Sequence, residues 1–371
     1  MSKLQAPRKG ERITSTGIVL PYSFWPARFG KRWTLQRRLY VKDPWATLSE
    51  AVYRSKAAKP RIREALSYLA QAEEYFNAGT QSGLRIDVKP VLLYYSVLNL
   101  AKSLLAIRVP TLDLSHAYHG LTAVRTGRWA LLGDEIKVIT SATKVNVFAE
   151  VMRLLNGHSP RLKSLQVRHL LPQILPAHRL WTYACGKREQ FINVAINAFH
   201  SPSDSKSWLT LAIDRGDLAY MGKSVTELVR SSGLPGGWKQ VSSNDDSTII
   251  HIEQQNALSY THRPLDCAQQ LFATITPALW SVVTSVYPHR KYYLNLDFNL
   301  SVRRLPQWAS TYVLFYYLSD LTRYRPVHFD RFLESKYGPQ MESILDECPR
   351  QFLYLMASEL LQREVAPAAL A

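Results

Sequence analysis

The stretch from Tyr68 to Ile107 sets the terms for the rest of this chain. YLAQAEEYFNAG has helical periodicity, a polar turn TQSG follows, and DVKPVLLYYSVLNLAKSLLAI is then apolar on nearly every side. A helix that is hydrophobic all round has to be surrounded. Its longest apolar run, Val91 to Ile107, is interrupted by Asn99 and Lys102. It falls short of the roughly 20 apolar residues that cross a bilayer. The stretch therefore predicts a helical hairpin whose second member is a core helix with other elements packed around it. Asn99 and Lys102 lie three apart on that helix and need partners if buried. They either line a pocket, with Lys102 meeting an anion, or close a structural network with the nearby His119, and the structural network is the expectation.

Charge is the second constraint. The net charge is +17, from 46 Lys and Arg against 29 Asp and Glu. Residues 1–63 hold 15 bases and 3 acids, a net of +12, so most of the excess sits in the first sixth of the chain. Such asymmetry points to an anionic partner, nucleic acid (RNA or DNA) first and an acidic protein behind it. Hydrophobic residues make up 46% of the chain, enough for a sizeable core. Cys185, Cys267 and Cys348 stand singly with no CxxC pair, which argues against a zinc site or disulfide framework and fits a reducing cytoplasm. The basic N-terminus has no apolar run of the secretory kind. The expectation is a soluble cytoplasmic protein with no membrane association.

Taken in order, residues 1–20 read as an irregular arm ending in the apolar run Gly17–Leu20. From Pro21 to Trp45 bases alternate with rings: Arg28, Lys31, Arg32, Arg37 and Arg38 among Trp25, Phe29, Trp33 and Tyr40. Lys and Arg neutralise phosphates, and aromatic faces stack on unpaired bases. Arg28, Lys31, Arg32, Trp33, Arg37 and Arg38 are thus the nucleic-acid-binding candidates. The competing reading has Trp25, Trp33 and Trp45 anchoring the stretch to the core, with the bases solvated outside.

Helices are predicted over Trp45–Ala58, Arg61–Ala78 and Pro90–Ile107, with Gly79 as a natural stop. His116 and His119 follow in a loop, each read as a hydrogen-bonded structural histidine. Trp129–Thr140 reads as a β-hairpin about Gly133–Asp134, and Phe148–Asn156 as a short helix. Phe191–Phe199, Trp208–Ile213 and Thr248–Glu253 alternate as strands, and Ser224–Ser231 is helical. Cys267–Val286 reads as one or two helices broken at Pro277, and Tyr292–Leu296 as a strand. Pro306 opens a ring-rich helix ending before Pro326. Helical segments near Asp330–Lys336, Met341–Asp346 and Gln351–Arg363 follow.

The fold expected is α+β and predominantly helical. A basic aromatic arm (1–43) precedes a helical hairpin region (44–125) and a mixed middle (126–300). C-terminal helices (301–371) then pack back on the first helical region, with a small mixed or antiparallel sheet supplied by the middle.

YLAQAEEYF, KPVLLYYSVLNLAKSLL and HGL at 119–121, together with WASTYVLFYYLSDLTRYRP near the C-terminus, resemble the YaaC-like family over about residues 44–365. That resemblance brings no reaction, substrate or cofactor with it. More loosely, the helix pair followed by a histidine loop is similar to HEPN domains, helical bundles found in bacterial toxin and antiviral ribonucleases. Active members carry Arg-x4–6-His, in which arginine stabilises phosphate charge and histidine moves protons without a metal. Two stretches fit, Arg153–His158 and Arg323–His328. The second lies just past a long helix but has Pro326 inside it, which breaks the helix on which such pairs sit. A simpler role for Arg323 is to bond the last carbonyls of its helix.

Phosphate-binding glycine loops, HExxH and GxSxG are missing from the sequence, so neither cofactor nor metal is expected. The function expected is nucleic-acid or acidic-partner binding through the arm. By the HEPN analogy it would belong to a multi-protein antiviral system. The alternative is a metal-independent endoribonuclease using Arg323 and His328.

Overall fold

The computed structural model describes residues 4–15, 17–23, 38–125, 131–141, 143–160, 163–242, 248–286, 289–296 and 304–368. The chain is α+β, with helices and an antiparallel sheet. It forms two compact units: a helical one, Tyr40–Lys187 with Arg303–Leu361, and a sheet one, Met1–Leu39 with Arg188–Val302 and Gln362–Ala371. Between the first helical segments and the sheet strands the division falls at residues 187/188. A three-stranded antiparallel sheet of Leu121–Val124, Glu135–Val138 and Ser164–Gln166 belongs to the helical unit.

Among the described residues, seven helices of nine or more residues build the helical unit: α1 Pro44–Tyr53, α2 Lys59–Thr80, α3 Lys89–Arg108, α4 Val147–Asn156, α5 Gln307–Tyr324, α6 Pro326–Glu334 and α7 Gly338–Leu361. The α2–α3 hairpin is close because small residues line its seam. Ala65, Ala72 and Gly79 recur every seven residues on α2, and a Cβ at Gly79 would come within 2.9 Å of Leu93. Across the seam Ser103 Oγ donates to the Ala65 carbonyl at 2.9 Å and Ser96 Oγ to that of Ala72 at 2.7 Å. These bonds satisfy two buried hydroxyls that a strongly apolar helix could not otherwise bury without cost.

Among the described residues α3 is the one helix long and apolar enough to cross a membrane, and most of it is buried inside this unit. Its Arg108 donates to the Leu360 carbonyl at 2.7 Å, capping the end of α7. Helix α5 is at least as buried as α3, and the Tyr94 ring of α3 meets Tyr312 and Tyr316 of α5 at centroid distances of 6.4 and 5.7 Å.

The C-terminal segments expected near 341–346 and 351–363 are one continuous helix, α7, that runs through Pro349. The missing N–H and the ring clash normally break a helix. Here burial of apolar residues on both sides, from Met341 to Leu345 and from Phe352 to Met356, outweighs that cost. The hairpin expected about Gly133–Asp134 does not form. Leu131–Gly133 is a single 3₁₀ turn, and Glu135–Val138 pairs instead with Leu121–Val124 and Ser164–Gln166.

The sheet unit is an antiparallel sheet whose main path runs Trp238–Val241, Ile249–Gln254, Lys206–Asp214, Phe191–Ser201, Arg290–Asn295, Leu279–Val283. Ile192, Val194, Ile196 and Ala198 alternate with more exposed neighbours, the pattern of a strand with one face buried. Two expectations change here. Residues after Pro277 form a strand, Leu279–Val283, because LWSVV suits a pleated surface better than a helix. Residues 4–23 are no detached arm: Glu11–Arg12 pairs with Phe199 and His200. Ile13 is buried, and the Tyr22 ring packs edge-on against Phe272 and Tyr292. Arg290 and Glu364 form a buried ion pair at 3.5 Å, with Arg290 also donating to Ser281 Oγ and the Val365 carbonyl.

Candidate functional site

The richest constellation of chemistry in the helical unit forms around His119, in the loop after α3. The chain can turn there because Gly120 takes φ +86°, and a Cβ would lie 1.8 Å from the Asn146 amide oxygen, so only glycine fits. The turn brings His119 Nδ1 to 3.1 Å from the Leu121 N–H, which donates to it. A ring nitrogen that accepts a backbone N–H carries no proton, so the neutral imidazole keeps its proton on Nε2. Nε2 makes no hydrogen bond with the described residues.

Three tyrosines enclose this ring. It lies against Tyr316 at 4.9 Å and meets Tyr94 and Tyr118 edge-on at 6.4 and 6.3 Å. Tyr312 Oη donates to the His119 carbonyl at 3.3 Å. Burial lowers the His119 pKa, and the Arg323 guanidinium lowers it further against the opposing pull of Asp320. The ring is therefore neutral at pH 7, and a donor through Nε2 only.

Helix α5 organises the rest. Tyr312, Tyr316, Ser319, Asp320 and Arg323 recur at intervals of three or four residues and share one face. Asp320 is ion-paired with Arg125, both largely buried, which offsets part of its charge, although its pull on His119 and Tyr316 remains. Arg323 is exposed. Its Nε donates to the Ser319 carbonyl in the last turn at 3.1 Å, and its guanidinium lies over the Tyr324 ring at 5.1 Å. Its terminal nitrogens hold no partner among the described residues. The same positive charge acts on Tyr94 and Tyr316 as well as on His119. Tyr94 Oη and Ser319 Oγ are buried hydroxyls without a hydrogen-bond partner among the described residues. Burial pushes the Tyr94 phenol well above its usual range, so it stays a neutral donor.

The other sequence candidates fall elsewhere. Asn99 and Lys102 turn toward α2: Asn99 Nδ2 reaches Gln71 Oε1 at 3.4 Å and Lys102 Nζ sits 5.3 Å from the Tyr68 ring. Burial lowers the Lys102 pKa. They do not join His119, which faces α5. Arg323 and His328 stand on different helices, because Arg325, at φ −146° and ψ 58°, breaks the chain between α5 and α6. Arg153 is held by Glu150 at 2.6 Å, and its neighbour His158 bonds the Ser159 carbonyl on the surface. Arg28, Lys31, Arg32, Trp33 and Arg37 lie outside the described residues, as does the side chain of Arg38. Tyr94, Tyr316, Asp320 and Arg125 were not singled out in sequence. A tyrosine at a core position reads like any other ring, and the one available signal was the repeat of tyrosines along α5.

Fold and site together define a class: an α+β protein whose helical unit gathers tyrosines, one half-buried histidine and one exposed arginine at the end of a core helix. Among the described residues no group of His, Cys, Asp and Glu is arranged to hold a metal ion. The chain belongs to the YaaC-like protein family, whose model matches residues 29–360. No curated protein matches it.

Proposed function

We propose that the protein binds nucleic acid through its basic, ring-rich segment from Arg28 to Lys42. The observation that carries the reading is the +12 net charge within residues 1–63, interleaved there with tryptophan and phenylalanine. Lys and Arg neutralise phosphates whatever the sequence, and exposed rings accept unpaired bases. Positive charge nearer the terminus is partly spent inside the sheet unit. Arg8 is ion-paired with Glu253 and donates to the Gln254 carbonyl at 3.0 Å. The segment from Arg28 onward therefore supplies the binding charge.

Deleting the first 42 residues is a poor test, since Ile13, Leu20 and Tyr22 are part of the sheet unit's core. Charge removal is cleaner. Replacing Arg28, Lys31, Arg32, Arg37 and Arg38 with Gln leaves those core positions untouched. Fluorescence anisotropy with a labelled single-stranded RNA at several salt concentrations should show weaker binding by the variant. The slope of log affinity against log salt should fall by about 0.7 for each phosphate contact removed. Equal affinity and slope in the two proteins would refute the reading.

A further inference from the structure

We propose that His119, Tyr94 and Arg323 form a second anion site, one that takes the phosphate group of a nucleotide, with Tyr324 as the platform for its base. The donors set the ligand class. His119 offers Nε2–H because Leu121 N–H occupies Nδ1. Arg323 offers its terminal guanidinium nitrogens because only Nε is engaged, by the Ser319 carbonyl. Tyr94, its ring edge-on to His119 at 6.4 Å, is 2% exposed and its Oη has no partner. The neighbouring carboxylate, Asp320, is ion-paired with Arg125, which offsets the repulsion it would exert on an anion. A set made of donors and one cation wants an oxyanion, and a guanidinium fork matches phosphate oxygens two at a time.

The nucleotide follows from the adjoining ring. Tyr324 is 67% exposed, an unusual position for so large an apolar surface. Arg323 covers one face of it. Most of the residue stays exposed beside the guanidinium that would hold the phosphate. A flat base beside a phosphate is the ligand chemistry that uses both. The shared chemistry is a nucleoside phosphate, drawn either from free nucleotide or from a single strand. The proposal uses none of the residues of the Arg28–Lys42 segment and does not depend on it.

The test uses the full chain and isothermal titration with adenosine 5′-monophosphate, adenosine, inorganic phosphate and a short single-stranded oligoadenylate. Saturable binding of the monophosphate, with adenosine at least ten-fold weaker, is expected. Arg323→Gln should weaken it by ten-fold or more, and because Arg323 is exposed the variant keeps its fold. Tyr94→Phe, which preserves the ring, should weaken it three-fold or more. Oligoadenylate binding more tightly per nucleotide than the monophosphate assigns the site to a strand, and the reverse order to free nucleotide.

Histidine C2–H resonances give a readout that a purely structural role would not move. A bound phosphate should raise the His119 pKa, against the combined field of Arg323, Asp320, Tyr94, Tyr118 and Tyr316 around it. The glutamine variants of the Arg28–Arg38 segment should bind the monophosphate as the wild type does, so failure of the first reading leaves this one standing. Absence of saturable binding by both monophosphate and inorganic phosphate overturns the proposal. Binding left unchanged by Arg323→Gln and Tyr94→Phe overturns it as well.

Discussion

Tyr94→Phe should stabilise the unliganded protein, and the sign of that effect is the sharpest check on how the cluster is built. Tyr94 Oη is buried and has no hydrogen-bond partner, so the substitution breaks no bond. It removes a group whose desolvation goes uncompensated, worth about 1–3 kcal/mol. Phenylalanine keeps the ring and with it the edge contacts to His119, Tyr312 and Tyr316, each worth about 0.5–1.5 kcal/mol. The net expectation is a gain of roughly 1–2 kcal/mol. For a unit of this size each kcal/mol moves Tm by about 2–4 °C. Calorimetry and urea unfolding of the two proteins without added ligand measure it.

Tyr312→Phe is the control, because that hydroxyl does donate, to the His119 carbonyl. Its loss should cost about 0.5–1.5 kcal/mol, the opposite sign. A Tyr94→Phe protein destabilised by 1 kcal/mol or more would mean that the hydroxyl is satisfied in the folded state. The cluster would then be a closed structural network. A stabilising change paired with weaker nucleotide binding is what a polar group held ready for a ligand produces.

Other perturbations probe the scaffold. His178 is buried with Nδ1 against the Pro172 carbonyl at 2.8 Å, and burial lowers its pKa to about 4. Its folded pKa lies below the unfolded value near 6.5, so its contribution is complete above that pH and is lost as pH falls from about 6.5 to 4. The loss amounts to about 3 kcal/mol at most. His178→Asn, which keeps a donor, should flatten the acid limb of a urea-stability profile over that window, and an unchanged limb would contradict it. Glu364→Gln strands the Arg290 charge in the interior of the sheet unit and should cost about 3–5 kcal/mol. Converting both partners to apolar residues should cost much less, as a double-mutant cycle would read. Gly120→Ala sets a Cβ against Asn146 at a positive φ and should destabilise by about 2 kcal/mol or more, measured by urea unfolding.

Periodicity made the core legible. Helices α2, α3 and α5 follow from apolar spacing and proline placement, and the strand around Phe191 from alternation, because burial of one face leaves a local imprint. The strand around Trp208 is buried continuously from Ser207 to Leu211 and reads as a short apolar run. What escaped was decided at long range. Glu11–Arg12 is too short to announce itself and becomes a strand only because Phe199 and His200 offer an edge. Pro349 looks like a stop, yet the apolar residues on either side carry the helix through it.

The site escaped for a related reason. Linear spacing joins Arg323 to His328, five residues on, but Arg325 turns the backbone between them. The histidine that feels Arg323 is His119, some two hundred residues earlier, brought to α5 by a glycine turn after α3. Spacing along a chain predicts a shared helix face and nothing about which face another helix presents. Whether a tyrosine at such a seam is core or chemistry depends on whether its hydroxyl has a partner. A phenylalanine in its place would leave the apolar pattern unchanged. In Tyr312 and Tyr317 the hydroxyl is bonded to protein, to the His119 carbonyl and to Asp134, and the rings serve the core. In Tyr94 it is not, and on that one difference rests the proposal that this aromatic seam holds a ligand.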